Sequence, residues 1–243
     1  MGKTIAIIQS NYSPWKGYFD IIRMVDEFML FDEAQYTRRD WRNRNKIKTP
    51  QGAQWLTIPV QVKGKFHQRI DETLVSDAAW IDDHLKSIKH NYARAGAFKE
   101  VYPVLEELYR SLTPLTRLSD VNYALLRGLS DLLGIKTPLT WSTDYDSVEG
   151  KTDRLISLCQ QAGADEYISG PSARAYMDHD LFERSGIKLT YVDYSGYPEY
   201  PQIYPPFDHG VSLLDLLLNV GIADAPRYLL TDLRAVPDSQ EGA

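Results

Sequence analysis

The stretch TIAIIQSNYSPWKGYFDIIRM, residues 4–24, decides the fold. It starts with TIAIIQ, a short β-branched run without a helical period, which predicts a buried strand. A polar turn follows, and Trp15 begins a predicted helix directly after Pro14. A strand, a tight loop and a helix N-terminus in this order predict the crevice where open α/β sheets bind ligands, because backbone N–H groups and the helix dipole point into it.

The carboxyl end of this predicted strand supplies amide and hydroxyl groups that would meet a substrate. The candidate catalytic residues are Gln9, Asn11 and Tyr12, and the candidate substrate-binding residues of the motif are Trp15, Gly17 and Tyr18. Gly17 would let a ligand or a strand approach the first helical turn closely. In the alternative interpretation the aromatic residues belong to the core, as aromatics at helical spacing mostly do, and Gln9 is a satisfied turn residue. We favour substrate binding, because amides between apolar residues need partners and helix starts more often use Ser, Thr or Asp.

The composition limits the class of protein. The chain has 243 residues, which fits one domain or one domain with an insertion, and its formal net charge is −6. The acidic balance argues against a general nucleic-acid or membrane-surface binder. Cys159 is the only cysteine, so neither a disulfide framework nor a thiolate metal cluster is expected. No apolar run reaches the length of a membrane span and the start does not resemble a signal peptide, so we expect a cytoplasmic protein without membrane insertion.

The order of the predicted elements indicates the fold class. Strand and helix patterns alternate at both ends of the chain, and helical periodicity covers residues 77–133, with Ser76 as the expected N-cap. This order predicts an α/β fold with a mainly parallel sheet and a helical insertion. We expect one domain over residues 1–222 and a C-terminal tail over residues 223–243. Neither GxxxxGK[ST] nor GxGxxG is present.

A basic, amide-rich segment, QYTRRDWRNRNKIKTP at residues 35–50, follows the second predicted strand. Residues 45–48 and 54–60 within and after it are expected to pair as a hairpin. Arg binds phosphate or carboxylate bidentately and a neighbouring aromatic ring stacks on a base or sugar, so the segment predicts a clamp for a nucleotide diphosphate. The predicted binding residues are Gln35, Arg39, Trp41, Arg42, Arg44 and Lys46. Two alternatives stay open: a solvated edge strand, and single-stranded RNA binding, which the acidic chain disfavours.

A third candidate element is YISGPSARAYMD, residues 167–178, in which a strand ends in Ser-Gly-Pro-Ser before a helical segment. Backbone amides and hydroxyls at such a turn suit an anion or a carboxylate. The candidate binding residues are Ser169, Gly170 and Ser172. An ordinary strand-to-helix turn is the alternative. Lys151 and Arg154 add positive charge at the start of the preceding predicted helix.

The five histidines are scattered without metal-ligand spacing, so no metal site is expected. His209 follows PPFD in a loop, and the sequence favours no role for it. Just beyond it, Ser212 and Asp215 have the spacing of a capping box that opens the last apolar helix.

With these segments in place, the chain resembles the WbqC-like protein family over nearly its whole length, to about Gly221. The segments that carry the resemblance, in family order, are QSNYSPWKGYFDII, FDEAQYTRRDWRNRNKIKTPQGAQWLTIPV, KSIKHNYARAGAFKEVYPVLEELY, KTDRLI, ADEYISGPSARAYMD and YPQIYPPFDHGVSLLDLLLNVG. The family occurs largely in bacterial gene clusters for surface polysaccharides such as the O-antigen of lipopolysaccharide. The resemblance therefore implies a role in that biosynthesis.

Together with the candidate site, this setting indicates an amide-forming transferase or ligase. The expected reaction transfers an acyl or aminoacyl group to the amino group of a dTDP- or UDP-linked amino sugar. The partners would be the nucleotide-linked sugar and the donor, with tRNA only as an aminoacyl donor, and we allow for a homodimer. ATP and magnesium would be cofactors if the donor is a free carboxylate. The alternatives are a non-catalytic nucleotide-sugar-binding or assembly protein of the same pathway, and a nucleotidylyltransferase-like enzyme.

A second likeness bears on the reaction. Pro14-Trp15-Lys16-Gly17-Tyr18 after a strand is similar to the His-x-Gly-His element of nucleotidylyltransferases and carboxylate-adenylating ligases. It implies a nucleotidylyltransferase-like (HUP/Rossmann-like) core. Trp15 and Tyr18 replace both histidines, so the element has no imidazole to stabilise a pentavalent phosphorus. Either adenylyl transfer is lost and only the nucleotide pocket is kept, or the basic segment replaces the missing groups.

Overall fold

A computed structural model describes residues 2–230, in which a five-stranded parallel sheet carries helices on both faces and a separate two-stranded hairpin lies beside it. The mainly parallel α/β sheet expected from the sequence is confirmed. The strands are β1 (Thr4–Ile8), β2 (Glu27–Leu30), β3 (Arg44–Thr49), β4 (Gly52–Thr57), β5 (Leu139–Trp141), β6 (Glu166–Ser169) and β7 (Lys188–Tyr191). The helices are α1 (Lys16–Met24), α2 (Ala79–Tyr92), α3 (Phe98–Ser111), α4 (Leu118–Leu132), α5 (Lys151–Gln161), α6 (His179–Ser185) and α7 (Leu213–Val220).

The strand order across the parallel sheet is β5-β2-β1-β6-β7. The chain runs outward from the central β1 to β2 and β5, and then returns to the other side of β1 to form β6 and β7. The direction of winding therefore changes beside β1. At such a switch point the connections after the two neighbouring strands leave in opposite directions and open a crevice at their carboxyl ends, which is where doubly wound sheets bind ligands.

The sheet is buried on both faces, which explains the unbroken apolar run in β1. Successive side chains of a strand point to opposite faces. Ile5 and Ile7 pack in an apolar cluster with residues of α5 and α6, whereas Ala6 packs in a second cluster with residues of α1 and the inserted helices. Parallel strands that are covered twice need apolar residues at consecutive positions.

The helical insertion and the hairpin lie where the sequence predicts them. Helices α2, α3 and α4 span residues 79–132, and β3 pairs antiparallel with β4. The expected cap is wrong in detail, because α2 begins at Ala79 and Ser76 lies too far upstream to cap it. The Asp77 carboxylate accepts the Ala79 N–H at 2.9 Å instead.

The first residues of the expected C-terminal tail contact the rest of the domain. Ala225 is fully buried and Leu229 is nearly so. The Leu230 N–H donates to the Asp20 carboxylate at 3.0 Å, so residues 223–230 pack on the domain. The rest of the expected tail, residues 231–243, lies outside the described residues. None of the described helices is long and apolar enough to cross a membrane.

Candidate functional site

A cavity of about 600 Å³ lies at the switch point of the sheet. We call it the switch-point chamber. Its walls come from the loop after β1, the end of β6 with the turn that follows, the N-terminus of α5, and Arg42 of the basic segment. The predicted site residues that line it are Gln9, Asn11, Trp15, Tyr18, Arg42, Ser169, Gly170 and Ser172. The fold thus brings three separate sequence motifs to one cavity.

Arg42 is the residue of the basic segment whose side chain reaches this chamber. Its Nη1 donates to the carbonyl oxygens of Gln9 and Ser10 at 3.3 and 3.4 Å, and to the side-chain oxygen of Asn11. Its Nη2 lies 3.8 Å from an Asp40 carboxylate oxygen, and the Arg42 side chain is 13 % exposed. A guanidinium has five donors in a fixed geometry, so these contacts orient the group and leave donors for an anionic ligand.

The same contact orients Asn11. Because the side-chain oxygen of Asn11 accepts from Arg42, its Nδ2 group is left to donate to an oxygen of a ligand. Asn11 lies three residues after the end of β1 and is half-buried. Its amide therefore stands at the carboxyl end of the central strand, the position expected from the sequence.

Aromatic side chains form much of the remaining wall. The Tyr18 hydroxyl donates to the Gln9 carbonyl oxygen at 2.9 Å, and burial raises the pKa of Tyr18 well above its ordinary value. Tyr18 is therefore a neutral donor that fixes the loop after β1. Trp15 packs edge-on against Tyr194 with ring centroids 4.9 Å apart, and both rings line the chamber. They offer apolar surface to a base or a sugar.

The N-terminus of α5 adds two basic side chains, one exposed and one buried in an ion pair. Lys151 is exposed and places a positive charge at the rim. Arg154 is buried, and its Nε and Nη2 donate to the two Glu33 carboxylate oxygens at 2.7 and 3.1 Å. Its Nη2 also donates to the Ser142 carbonyl oxygen at 3.0 Å. The charge of Arg154 is thus compensated inside the protein, and Lys151 is the one left to face a ligand.

A second cavity, about 370 Å³, adjoins the first, and we call it the hairpin chamber. Asn11 and Trp15 line both chambers, so they form the boundary between them. The other lining residues are Pro14, Trp41, Asn45, His209 and Gly210. Asn45 holds the loop after β1 in place, because its Nδ2 donates to the carbonyl oxygens of Tyr12 and Ser13 at 3.2 and 2.9 Å.

Tyr12 lies away from both chambers. It is 1 % exposed, and its hydroxyl forms hydrogen bonds with His84 Nδ1 at 2.8 Å and with the Tyr109 hydroxyl at 2.7 Å. These partners belong to the inserted helices α2 and α3. The position fits the core interpretation of Tyr12, so we remove it from the candidate catalytic residues.

Gly17 is needed by Trp15 rather than by a ligand. A Cβ at position 17 would lie 2.3 Å from Trp15 Cζ2, far inside van der Waals contact. The close approach predicted for this glycine is therefore made by the neighbouring indole ring. Gly17 shapes the cavity wall indirectly, because it leaves room for the Trp15 ring against the first turn of α1.

The remaining residues of the predicted clamp do not converge on either chamber. Gln35 is exposed, and its side chain donates to the Phe66 carbonyl oxygen at 2.8 Å. Arg39 is exposed in a turn, with a φ of 60°. Of the three arginines predicted to bind the ligand, Arg39, Arg42 and Arg44, Arg42 lines the switch-point chamber and the other two do not.

The alternation of β3 explains the positions of Arg44 and Lys46. Asn45 and Ile47 point into the protein and are buried. Arg44 and Lys46 point the other way and pack on Trp55, with the Arg44 Cζ 4.0 Å and the Lys46 Nζ 5.2 Å from its ring centroid. These two cations therefore cover the outer face of the hairpin.

Tyr194 and His209 also line the chambers and lie outside the predicted set. Tyr194 lies three residues after the end of β7, and a position beyond the carboxyl end of a parallel strand was a usable signal, since ligands meet these ends. His209 lies in a loop without periodicity, and the local sequence carries no signal for it. Within residues 2–230, no group of three or more His, Cys, Asp or Glu side chains is arranged to hold a metal ion.

The fold and the cavity define a doubly wound α/β protein with its candidate site at the switch point of the sheet. A sequence model of the WbqC-like protein family matches residues 9–226, and the chain belongs to this family. The chain is also 52 % identical over 227 residues to the uncharacterized protein Rv1507c of Mycobacterium tuberculosis (strain ATCC 25618 / H37Rv), an alignment that covers 93 % of this chain and 97 % of the relative. No solved structure matches the chain.

Proposed function

We propose that this protein binds a dTDP- or UDP-linked amino sugar and transfers an acyl or aminoacyl group to its amine during synthesis of a bacterial surface polysaccharide. The observation that carries the proposal is the switch-point chamber with the Arg42 guanidinium in its wall. A volume of about 600 Å³ is within the usual range of small-molecule sites. Membership of the WbqC-like family supports the biosynthetic setting.

The chamber offers a separate surface to each part of a nucleotide. Arg42 and Lys151 provide positive charge for a diphosphate. The turn after β6 leaves backbone accessible, since the nearest atom to a Cβ added at Gly170 would be the Tyr194 hydroxyl oxygen at 4.0 Å. Trp15 provides an aromatic ring for the base or the sugar.

Amide formation makes three demands on the site: an activated carboxyl group, an unprotonated amine, and donors for the charge that develops on the carbonyl oxygen. The Nδ2 group of Asn11 is oriented as such a donor by Arg42. Gln9 lines the same chamber and adds a second amide. Holding the two reactants together contributes on the order of 7 kcal/mol when their geometry is good.

Nucleotide binding tests the site with a matched pair of variants. In isothermal titration calorimetry with UDP, dTDP and their amino-sugar forms, Arg42→Gln should weaken binding about tenfold, because a charge-assisted contact is lost. Arg39→Gln makes the same substitution three positions away, outside the chamber, and should bind like the wild type. Equal affinities of the two variants, or no binding of any nucleotide by the wild type, would contradict the proposal.

Turnover is tested by incubating the protein with dTDP- and UDP-amino sugars and three classes of donor, with product mass followed. The donors are a thioester, an aminoacyl-tRNA, and a free carboxylate with ATP and magnesium. Asn11→Ala should lower turnover more than it lowers sugar binding. Binding without product from any donor would instead support a non-catalytic binding or assembly protein.

A nucleotidylyltransferase-like enzyme is the second candidate. The strand order and the position of the cavity beside β1 favour it. Trp15 and Tyr18, in place of two histidines, count against it. Release of pyrophosphate from a nucleoside triphosphate and a sugar phosphate would support this activity over amide formation.

A further inference from the structure

The hairpin chamber lies next to the switch-point chamber and shares two lining side chains with it. Asn11 and Trp15 line both cavities. A ligand whose nucleotide occupies the switch-point chamber would extend its next group past Asn11 into the hairpin chamber. In a nucleotide-linked sugar, that next group is the sugar ring.

Trp41 gives the hairpin chamber a partly exposed aromatic wall. Its side chain is 40 % exposed, and Trp55 supports it with ring centroids 5.1 Å apart. The Lys46 Nζ lies 5.9 Å from the Trp41 centroid. A supported indole ring in a cavity with few polar groups fits the apolar face of a hexose.

His209 supplies a polar group in this chamber. Its Nδ1 is buried and has no hydrogen-bond partner within residues 2–230. The ring packs against Phe207 and Tyr197, with centroids 4.5 and 6.3 Å away. A buried ring nitrogen without a partner is uncommon and costs free energy, so it marks a place where a ligand hydrogen bond is expected.

The charges that face His209 come from Lys16, Glu199 and Asp208. Burial and the Lys16 ammonium lower the pKa of His209, and the two carboxylates act against them. Lys16 is held by the Pro198 carbonyl oxygen at 3.1 Å, and burial lowers its own pKa to about 8. At neutral pH the imidazole is therefore mostly uncharged. The positive charge of Lys16 also disfavours the ammonium form of an amine bound beside it.

We propose that the hairpin chamber is the subsite for the amino-sugar ring, with Trp41 as its platform and His209 Nδ1 as the acceptor of the amine N–H. This assignment rests on the proposed function and adds the position of the reacting amine. The amine nitrogen bonds to the acyl carbon of a thioester, an aminoacyl ester or an acyl-adenylate. The bond from that carbon to sulfur or oxygen breaks, and its electron pair leaves with the sulfur or oxygen. The proton of the nitrogen passes to His209 Nδ1.

Isothermal titration calorimetry on the full chain separates the two chambers. UDP and dTDP probe the switch-point chamber, and the same nucleotides linked to a 2-amino or 4-amino hexose probe both. The sugar increment is the Kd of the nucleotide divided by the Kd of its amino-sugar form, measured on the pair that binds most tightly. Trp41→Ala and His209→Gln should each lower this increment about tenfold and leave the Kd of the nucleotide alone unchanged. His90→Gln, at an exposed helix position, is the matched control.

The pH dependence of the sugar increment gives a second test, because a purely structural role of His209 would not change it. As the pH falls below the pKa of His209, the imidazole takes up a proton and stops accepting the amine hydrogen bond. Protonation of the sugar amine at low pH affects the wild type and His209→Gln equally. The sugar increment should therefore fall more in the wild type than in His209→Gln, because only the wild type also loses the His209 acceptor.

The outcomes separate this inference from the proposed function. Unchanged increments in both variants would overturn the subsite, and so would equal losses of affinity for the nucleotide and its amino-sugar form. Nucleotide binding would in either case leave the proposed function standing. Failure of every nucleotide to bind would overturn the proposed function, and the subsite with it.

Discussion

Replacing Arg154 by methionine removes one half of a buried ion pair in the wall of the switch-point chamber. The guanidinium makes two hydrogen bonds to Glu33, one to the Ser142 carbonyl oxygen and one to the Asp146 carbonyl oxygen. The side chains of Arg154 and Glu33 are only 5 % and 17 % exposed. Methionine fills a similar volume, but it leaves the Glu33 carboxylate without its partner.

The expected loss follows from that uncompensated charge. Breaking a buried ion pair by removing one partner costs about 3–5 kcal/mol. At about 2–4 °C per kcal/mol for a chain of this size, the melting temperature should fall by about 6–20 °C. Urea denaturation followed by circular dichroism measures the free energy of unfolding. Arg38→Met, at an exposed position, should stay within about 0.5 kcal/mol of the wild type.

The double variant Arg154→Met with Glu33→Gln distinguishes ion pairing from packing. It removes both charges, so it should be more stable than Arg154→Met alone. A loss below about 1 kcal/mol for Arg154→Met would refute the reasoning, because a buried partner left unpaired costs more than that. The same conclusion would follow if the stability loss of the double variant equalled the sum of the losses of the two single variants.

Two further predictions concern the first motif and its neighbours. Gly17→Ala should lower the free energy of unfolding by about 1–3 kcal/mol in urea denaturation, because its Cβ would overlap the Trp15 ring. The loss should vanish in a Trp15→Phe background. Burial lowers the pKa of His84 from 6.5 to about 4, so the His84 imidazole binds a proton more weakly in the folded chain than in the unfolded chain. The wild type should therefore lose about 3 kcal/mol of stability as the pH falls from about 6.5 to about 4. His84→Gln should lose less between the same two pH values, and equal losses would contradict the assignment.

Local sequence patterns predicted the elements whose formation depends on neighbouring residues. Each of these patterns involves residues that are close together in the chain. They are the β-branched run of β1, the alternation in β3 and β4, and the helical periodicity of residues 77–133. Because the carboxyl ends of parallel strands meet at one edge of the sheet, the residues that follow β1 and β6 line one cavity. Asn11 and Ser169 lie there together with Arg42, and their role as a functional site stays a prediction.

The predictions that failed depend on contacts between distant parts of the chain. Tyr12 turns away from the site because its hydroxyl bonds to His84 and Tyr109, which lie 72 and 97 positions further on. Nothing in the local loop sequence distinguishes this inward direction from one that faces a substrate.

The expected capping box at α7 shows the same limit. The Ser212 hydroxyl accepts the Leu214 N–H at 3.3 Å, as a cap should. The Asp215 carboxylate instead accepts from the hydroxyls of Tyr92 and Tyr200, each at 2.6 Å, so it joins α7 to α2 and to the loop before α7. A spacing rule identifies the helix start but not the partner of a buried carboxylate.

A crystal structure of the protein with a bound dTDP- or UDP-amino sugar would show which part of the ligand each chamber holds. We expect the diphosphate in the switch-point chamber, with a phosphate oxygen about 3 Å from an Arg42 nitrogen. The sugar ring should lie past Asn11, against Trp41. A nucleotide bound elsewhere, such as on the outer face of the hairpin beside Trp55 and Lys46, would contradict the account.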